Sequence, residues 1–219
     1  MRISIIILII AISTAPSFGQ NKLLLETGGS LFSYSGDMGS FDQAGGGFHV
    51  GIRLNKKRKL NGSFQLILGS VSDDDPEQAP PTQGGTVTPN RYFKTTFFGV
   101  NYALNYHFIK NERWWVYISQ GIGFLRFTPK DASGQSLVNA TNTREDGEDY
   151  RNTTAFLPTS IGAIFYLSNK VGLGVSLSAL NTATDYLDNI SELGESGNDN
   201  IFQARFSLII PIRLVSSEQ

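Results

Sequence analysis

His49 and His107 are the only imidazoles in the chain, so any histidine-dependent catalysis must run through one of them. Activating a nucleophile or a water would need a Ser, Asp or Glu within hydrogen-bond reach of the ring, where substrate can enter. The signatures Gly-x-Ser-x-Gly and Ser-x-x-Lys are absent. Both histidines sit on the small or polar side of an alternating segment, His49 with Gly47 and Gly51, His107 with Asn105 and Ala103. That placement points to interior hydrogen bonding. No enzymatic activity is expected.

Metal and nucleotide chemistry fare no better. Asp73, Asp74 and Asp75 could offer oxygens to Ca²⁺, but the Gly and bidentate Glu of an EF-hand do not follow at the required offsets. They read as solvated loop charge. Gly121 and Gly123 lie in a strand-like segment and lack the helix that would hold a phosphate. Cysteine is absent, which excludes disulfides, thiolate metal sites and a cysteine nucleophile. No metal or cofactor is expected.

Glu26 is the residue with the clearest physical demand. It is the only acid on the polar side of its segment, Lys22 to Tyr34. A buried carboxylate needs partners, because breaking a buried ion pair costs roughly 3–5 kcal/mol. If the first connection is symmetric, Arg53 lies opposite Glu26, and Arg205 is available from the last segment. The expected arrangement is an interior polar network of Glu26, Arg53, Arg205, His49 and Gln203. Such a network could gate a pore or simply plug a narrow one.

These residues share an interior only if their segments are strands. Side chains of a strand alternate between two faces. Phe202, Ala204, Phe206, Leu208, Ile210 and Ile212 fall on one face, Gln203, Arg205, Ser207 and Arg213 on the other. Phe98, Val100, Tyr102, Leu104, Tyr106 and Phe108 alternate in the same way with Gly99, Asn101, Ala103, Asn105 and His107. The pattern predicts eight strands, near 22–34, 45–55, 59–71, 91–108, 114–128, 152–167, 171–184 and 201–214. The faces of 114–128 and 152–167 stay unassigned, since Gln120 and Arg126 share a side with Val116 and Ile118.

Connections alternate between short and long. Asn55–Lys59, Lys110–Arg113 and Ser168–Lys170 are short and basic. Ser35–Ala44, Ser72–Asn90, Pro129–Arg151 and Asp185–Asn200 are long, polar and mostly acidic. Aromatics gather at both ends, Tyr106, Phe108, Trp114, Trp115 and Tyr117 on the short side, Tyr34, Tyr92, Phe93, Phe127 and Phe202 on the long side. Two girdles of amphipathic rings are the expectation.

Composition limits the class. With 18 basic against 19 acidic residues there is no basic face for nucleic acid. Residues 1–19 read as a cleaved secretory signal: Met1 and Arg2, an apolar run from Ile3 to Ile12, then small residues up to Gly19. The run is about half the roughly 20 residues a spanning helix needs. Residues 20–219 are expected to form one domain. A soluble barrel with a greasy interior would carry Lys and Glu on its polar face, whereas here that face holds Gly, Ser, Thr, Asn, Gln, His and a few Arg. The apolar face therefore reads as the outside, toward lipid. Lys94 is the one outward cation, near a strand end where its amine can snorkel to headgroups.

With its signal, the "GIGF" and "SIGAIFYLSNKVGLGVSLS" rhythm and an aromatic–aliphatic last strand, the chain resembles the small outer-membrane barrels typified by OmpA and OmpX, in the form common in Bacteroidetes. The resemblance implies an all-β, antiparallel up-and-down transmembrane barrel with short periplasmic turns and four long extracellular loops. It implies residence in the bacterial outer membrane, as a monomer, in contact with its lipid and lipopolysaccharide. It also implies passage through periplasmic chaperones and the barrel-assembly machinery. A non-enzymatic role follows, in envelope structure or in loop-mediated adhesion or ligand contact. A narrow porin-like channel for small solutes or hydrophobic ligands is the alternative, and a soluble lipocalin-like carrier a more distant one. The extracellular ligand is not identified. One departure is Pro211 in the last strand, which ends in "VSSEQ" rather than an aromatic residue; a bulge or an unpaired position is expected there.

Overall fold

The computed structural model describes residues 22–55, 58–75, 90–140, 144, 147, 150–168, 170–190 and 197–212. The expected signal segment, Arg213, and many of the loop charges (Lys56, Lys57, Glu77, Glu145, Asp146, Glu148, Asp149, Glu192, Glu195) lie outside them.

Eight strands form: β1 (Lys22–Gly36), β2 (Gly39–Asn55), β3 (Leu60–Asp74), β4 (Tyr92–Lys110), β5 (Trp114–Lys130), β6 (Thr153–Tyr166), β7 (Gly172–Thr182) and β8 (Asn200–Ile212). Each pairs antiparallel with the next, and β8 pairs back to β1, so the sheet closes into a barrel. Closure gives every strand a neighbour on both sides. Among the described residues the one short helix is a 3₁₀ turn, Leu137–Asn139, between β5 and β6.

Parity assigns every face. On β7, Leu173, Val175 and Leu177 are exposed while Gly172, Gly174, Ser176 and Ser178 are buried. β5 turns Trp115, Tyr117, Ser119, Leu125 and Phe127 inward and leaves Trp114, Ile118, Gln120, Ile122, Phe124 and Arg126 outside. β6 turns Phe156, Pro158, Ser160 and Ile164 inward. Outside, Thr159 donates to the side-chain oxygen of Gln120 at 2.8 Å, so two polar groups on the outer wall partner each other.

Two expectations change, and a third resolves to one of its alternatives. The stretch Ser35–Ala44 is mostly strand: β1 and β2 continue through the pairs Ser35↔Ser40 and Gly36↔Gly39 to a turn at Asp37 and Met38. The girdles are thinner than expected, because Tyr34, Phe93, Phe127, Trp115 and Tyr117 point into the barrel. Their parity is that of the polar residues, and parity prevails over position along the strand. Of the two outcomes expected at Pro211, the unpaired position is the one found: the β1 register runs on through Leu24↔Pro211 without a bulge, while the β7 neighbour has already ended at Gly172↔Ile209.

Inside, two apolar clusters flank a polar middle. The larger lies toward the long connections and includes Phe32, Tyr34, Phe93, Phe97, Phe127 and Phe156. The smaller, at the short-turn end, contains Leu24, Trp115, Tyr117, Ile164 and Ile209. The Phe32 ring fits because its neighbours lack side chains: a Cβ on Gly69 would stand 2.3 Å from Phe32 Cε2, and one on Gly47 would stand 2.8 Å from the same atom. The wall is irregular between β5 and β6. Between Gln120↔Thr159 and Gly123↔Phe156 the β5–β6 register is unbroken but two rungs are missing, at the level of Pro158, which has no N–H to donate. The Gln120 side-chain amide approaches the carbonyls of Gly121 at 3.3 Å and Pro158 at 3.4 Å.

Replacing Gly69 by Val should displace the Phe32 ring and destabilise the barrel by about 1–3 kcal/mol, the usual cost of overpacking. Urea unfolding midpoints of the wild type and Gly69→Val, compared in the same lipid or detergent, measure it. Equal midpoints would contradict the tight fit.

Candidate functional site

The polar middle of the barrel is built around Glu26. Arg53 donates to one of its oxygens, Oε2, from Nη2 at 2.7 Å and from Nε at 3.2 Å. The register is offset from the expected one: Gly51 stands across from Glu26, and Arg53 across from Leu24. The long guanidinium spans that diagonal. Arg53 further donates from Nη1 to Asn105 Oδ1 at 3.0 Å and from Nη2 to the Tyr117 hydroxyl at 3.2 Å. Its carbon Cζ lies 4.5 Å from the centre of the Tyr117 ring.

His49 joins the same carboxylate from the other side. Its Nε2 contacts Ser207 Oγ at 2.9 Å, and Ser207 donates to Glu26 Oε1 at 3.1 Å. A hydroxyl has one proton, so Ser207 must accept from a protonated Nε2. On the opposite nitrogen, Nδ1 meets Ser30 Oγ at 2.9 Å, and Ser30 accepts from Gln203 Nε2 at 3.1 Å. The neutral Nε2–H tautomer satisfies every partner. Donation therefore runs in one direction, Gln203 to Ser30 to His49 to Ser207 to Glu26.

Arg205 reaches Glu26 only through an intermediary. It donates from Nη1 to Gln65 Oε1 and from Nε to Ser176 Oγ at 2.8 Å, while Gln65 Nε2 stands 3.5 Å from Glu26 Oε2. The five residues expected from the sequence are thus brought into one connected set. Gln65, Ser207, Ser30 and Asn105 complete it, and no sequence signal separates these neutral side chains from other inward ones. His107 stays apart: its Nδ1 lies 2.9 Å from the Lys59 carbonyl and its ring packs edge-on against Trp115. The two histidines do not meet.

A second polar cluster closes the wide end. The described part of the β7–β8 connection, expected as a long polar loop, is tucked into the barrel mouth with Leu187 and Ile190 buried in the larger apolar cluster. Thr95 donates to the Leu187 carbonyl, and Asn90 Nδ2 donates to the Asp188 carbonyl at 2.9 Å. The Tyr34 hydroxyl touches Asp188 Oδ2 at 2.7 Å and Asp199 Oδ1 at 2.6 Å. One phenol proton cannot serve two carboxylates, so at least one aspartate must supply the other. Burial, reinforced by the charge of Asp199, pushes Asp188 well above its ordinary 3.8. Burial holds Asp199 up at about 8, with Asp185 and Asp37 adding to the effect. Backbone N–H groups of Ile190 and Leu187 bind the remaining oxygens, at 2.9 and 2.7 Å.

No protein family matches the chain, and no curated protein matches it. Solved structures do. Neisserial surface protein A superimposes with a TM-score of 0.55 at 9% identity, over 87% of this chain and 97% of that one. Ail, the attachment invasion locus protein of Yersinia pestis, in complex with the heparin analogue sucrose octasulfate, gives 0.52 at 11%, over 89% and 100%. The outer membrane protein OprG from Pseudomonas aeruginosa gives 0.51 at 8%, over 89% and 97%. The fold is that of the small outer-membrane barrels. At these identities the likeness is one of architecture.

Two outcomes follow. Glu26→Ala should cost about 3–5 kcal/mol by stranding Arg53, whereas Glu26→Met combined with Arg53→Met should cost much less. A double-mutant cycle on urea midpoints measures this coupling. At the wide end, the folded protein keeps a carboxyl proton that the unfolded chain releases near 3.8, so the contribution of Asp199 to stability should fall as pH rises from about 4 to about 8. Asp199→Asn should flatten that dependence. A wild-type midpoint that does not fall relative to that of Asp199→Asn across this window would contradict the shared proton.

Proposed function

We propose that the mature chain is a non-enzymatic, integral barrel of the bacterial outer membrane, with its leading segment removed on export. Its sealed frame serves envelope structure or presents the long-connection end for adhesion or ligand contact. The observation that carries this reading is the filled interior: the Glu26–Arg53 belt sits between two apolar clusters, and the larger one blocks the wide end. Narrow barrels fill with side chains, and such an interior transmits nothing of solute size.

The outer wall supports a lipid surrounding. Leu177, Phe124, Phe206 and Ile122 stand 63%, 61%, 60% and 58% exposed, an apolar band that water would disfavour. Arg126 and Lys94 lie on the outside near strand ends, where a cation costs roughly 0–1 kcal/mol. Both histidines are fully buried, which supports a non-catalytic role. The adhesion branch draws on Ail, an attachment protein captured with a heparin analogue. Outer-membrane lipid, lipopolysaccharide, periplasmic chaperones and the assembly machinery are the partners this reading requires, and a single copy suffices to close the barrel.

Planar-bilayer recordings test the sealed interior. Wild type and Glu26→Ala should both stay near baseline, because the apolar cluster above the belt remains. Steady solute-sized conductance in the wild type would favour a conduit instead. Leu177→Arg, at the middle of β7, should cost about 2–4 kcal/mol in lipid vesicles. No loss there would argue against lipid on that face.

A further inference from the structure

The polar middle carries one more positive charge than negative. Among the described residues it holds two buried guanidiniums, Arg53 and Arg205, and one carboxylate, Glu26. His49 adds none, since its neutral tautomer satisfies both serines. Arg53 takes the direct contact with Glu26. Arg205 is left with neutral partners, Gln65 and Ser176, and its Nη2 makes no hydrogen bond to another described residue. A buried charge without a counter-charge is among the costliest features a protein interior can hold.

Arg205 lines a cavity of about 10 Å³ enclosed by the strands. That is room for about one water-sized occupant. Ser178 lines the same space, is 6% exposed, and its Oγ has no hydrogen-bond partner. Asn101, Ser119 and Ser160 line it too, each buried and none with a side-chain hydrogen bond to another described residue. The remaining wall includes Ala103, Pro158 and Leu180. The cavity thus offers hydroxyl and amide donors, one guanidinium edge, and no carboxylate of its own.

We propose that this cavity binds a single halide ion, chloride in the usual setting. The guanidinium edge of Arg205 supplies the charge, and the hydroxyls of Ser178, Ser119 and Ser160 with the amide of Asn101 supply directed donors. A water molecule could satisfy the hydroxyls but would leave the excess charge uncompensated. Sulfate, phosphate and carboxylates are too large for the space. The ion completes the neutrality of the belt and locks β5, β6, β7 and β8 to it through their serines and Arg205.

The test uses the full-length processed protein refolded in detergent. Its unfolding midpoint is followed as sodium chloride or bromide replaces sodium gluconate or sulfate at constant ionic strength. A saturable rise with chloride and bromide, absent with gluconate and sulfate, is expected. Ser178→Ala should weaken the apparent halide affinity about tenfold, and Arg205→Gln should abolish the response. Crystals grown in bromide should show its anomalous scattering beside Arg205. If Arg205→Gln does not fold, Ser178→Ala and the bromide position decide the matter. Equal midpoints in chloride and gluconate would mean that only water occupies the cavity. An undiminished response in Ser178→Ala, or bromide found elsewhere, would place the halide at another site. Each of these results overturns the proposal.

Discussion

One buried carboxylate organises the interior. Glu26 accepts from Arg53, from Ser207 and, at longer range, from Gln65, so three strands besides its own converge on it. In a low-dielectric interior such a charge is tolerable only when its oxygens are saturated, and saturation fixes the side chains around it. The direction of donation from Gln203 through His49, the tautomer of that ring and the placement of Arg205 all follow from where Glu26 must find its protons. The belt ties β1, β2, β3 and β8 together across the barrel, where backbone pairing joins only neighbours.

The two apolar clusters have a different origin. They arise because inward positions near the strand ends carry aromatic and aliphatic residues rather than serine or glycine. The polar and apolar interiors are mutually reinforcing. The clusters keep bulk water from the belt, which strengthens its electrostatics, and the belt holds the strands at a spacing the rings can fill. Gly47 and Gly69 show how closely that spacing is set, since both are needed to seat one phenyl ring.

Much of this was readable in the sequence, through the two-residue period. Glu26, His49, Arg53, Gln203 and Arg205 were placed inside because each shares a face with small residues, and that rule needs no knowledge of contacts. Reading Tyr34, Phe93 and Phe127 as outer girdle failed because position along the strand was allowed to outweigh parity. Tyr34 is eight residues from Glu26, so the two must share a face. β5 stayed ambiguous for a real reason: both of its sides mix polar and apolar residues, and only its neighbours decide. The tucked β7–β8 segment was hidden by its acidic composition, although Leu187 and Ile190 interrupt it. Contacts at long sequence separation, such as Tyr34 with Asp188 and Asp199, leave no local trace.

The seam beside Pro158 has a consequence for how the circle yields. The β5–β6 join lacks two consecutive rungs in its middle, and the Gln120 side-chain amide stands beside the carbonyls left there. Cooperative structures part first where fewest bonds must break together. Within the β5–β6 join the gap beside Pro158 is therefore where pairing gives way first, and the backbone amides of Ile122 and Leu157 should exchange with solvent deuterium sooner than the paired amides on either side of them.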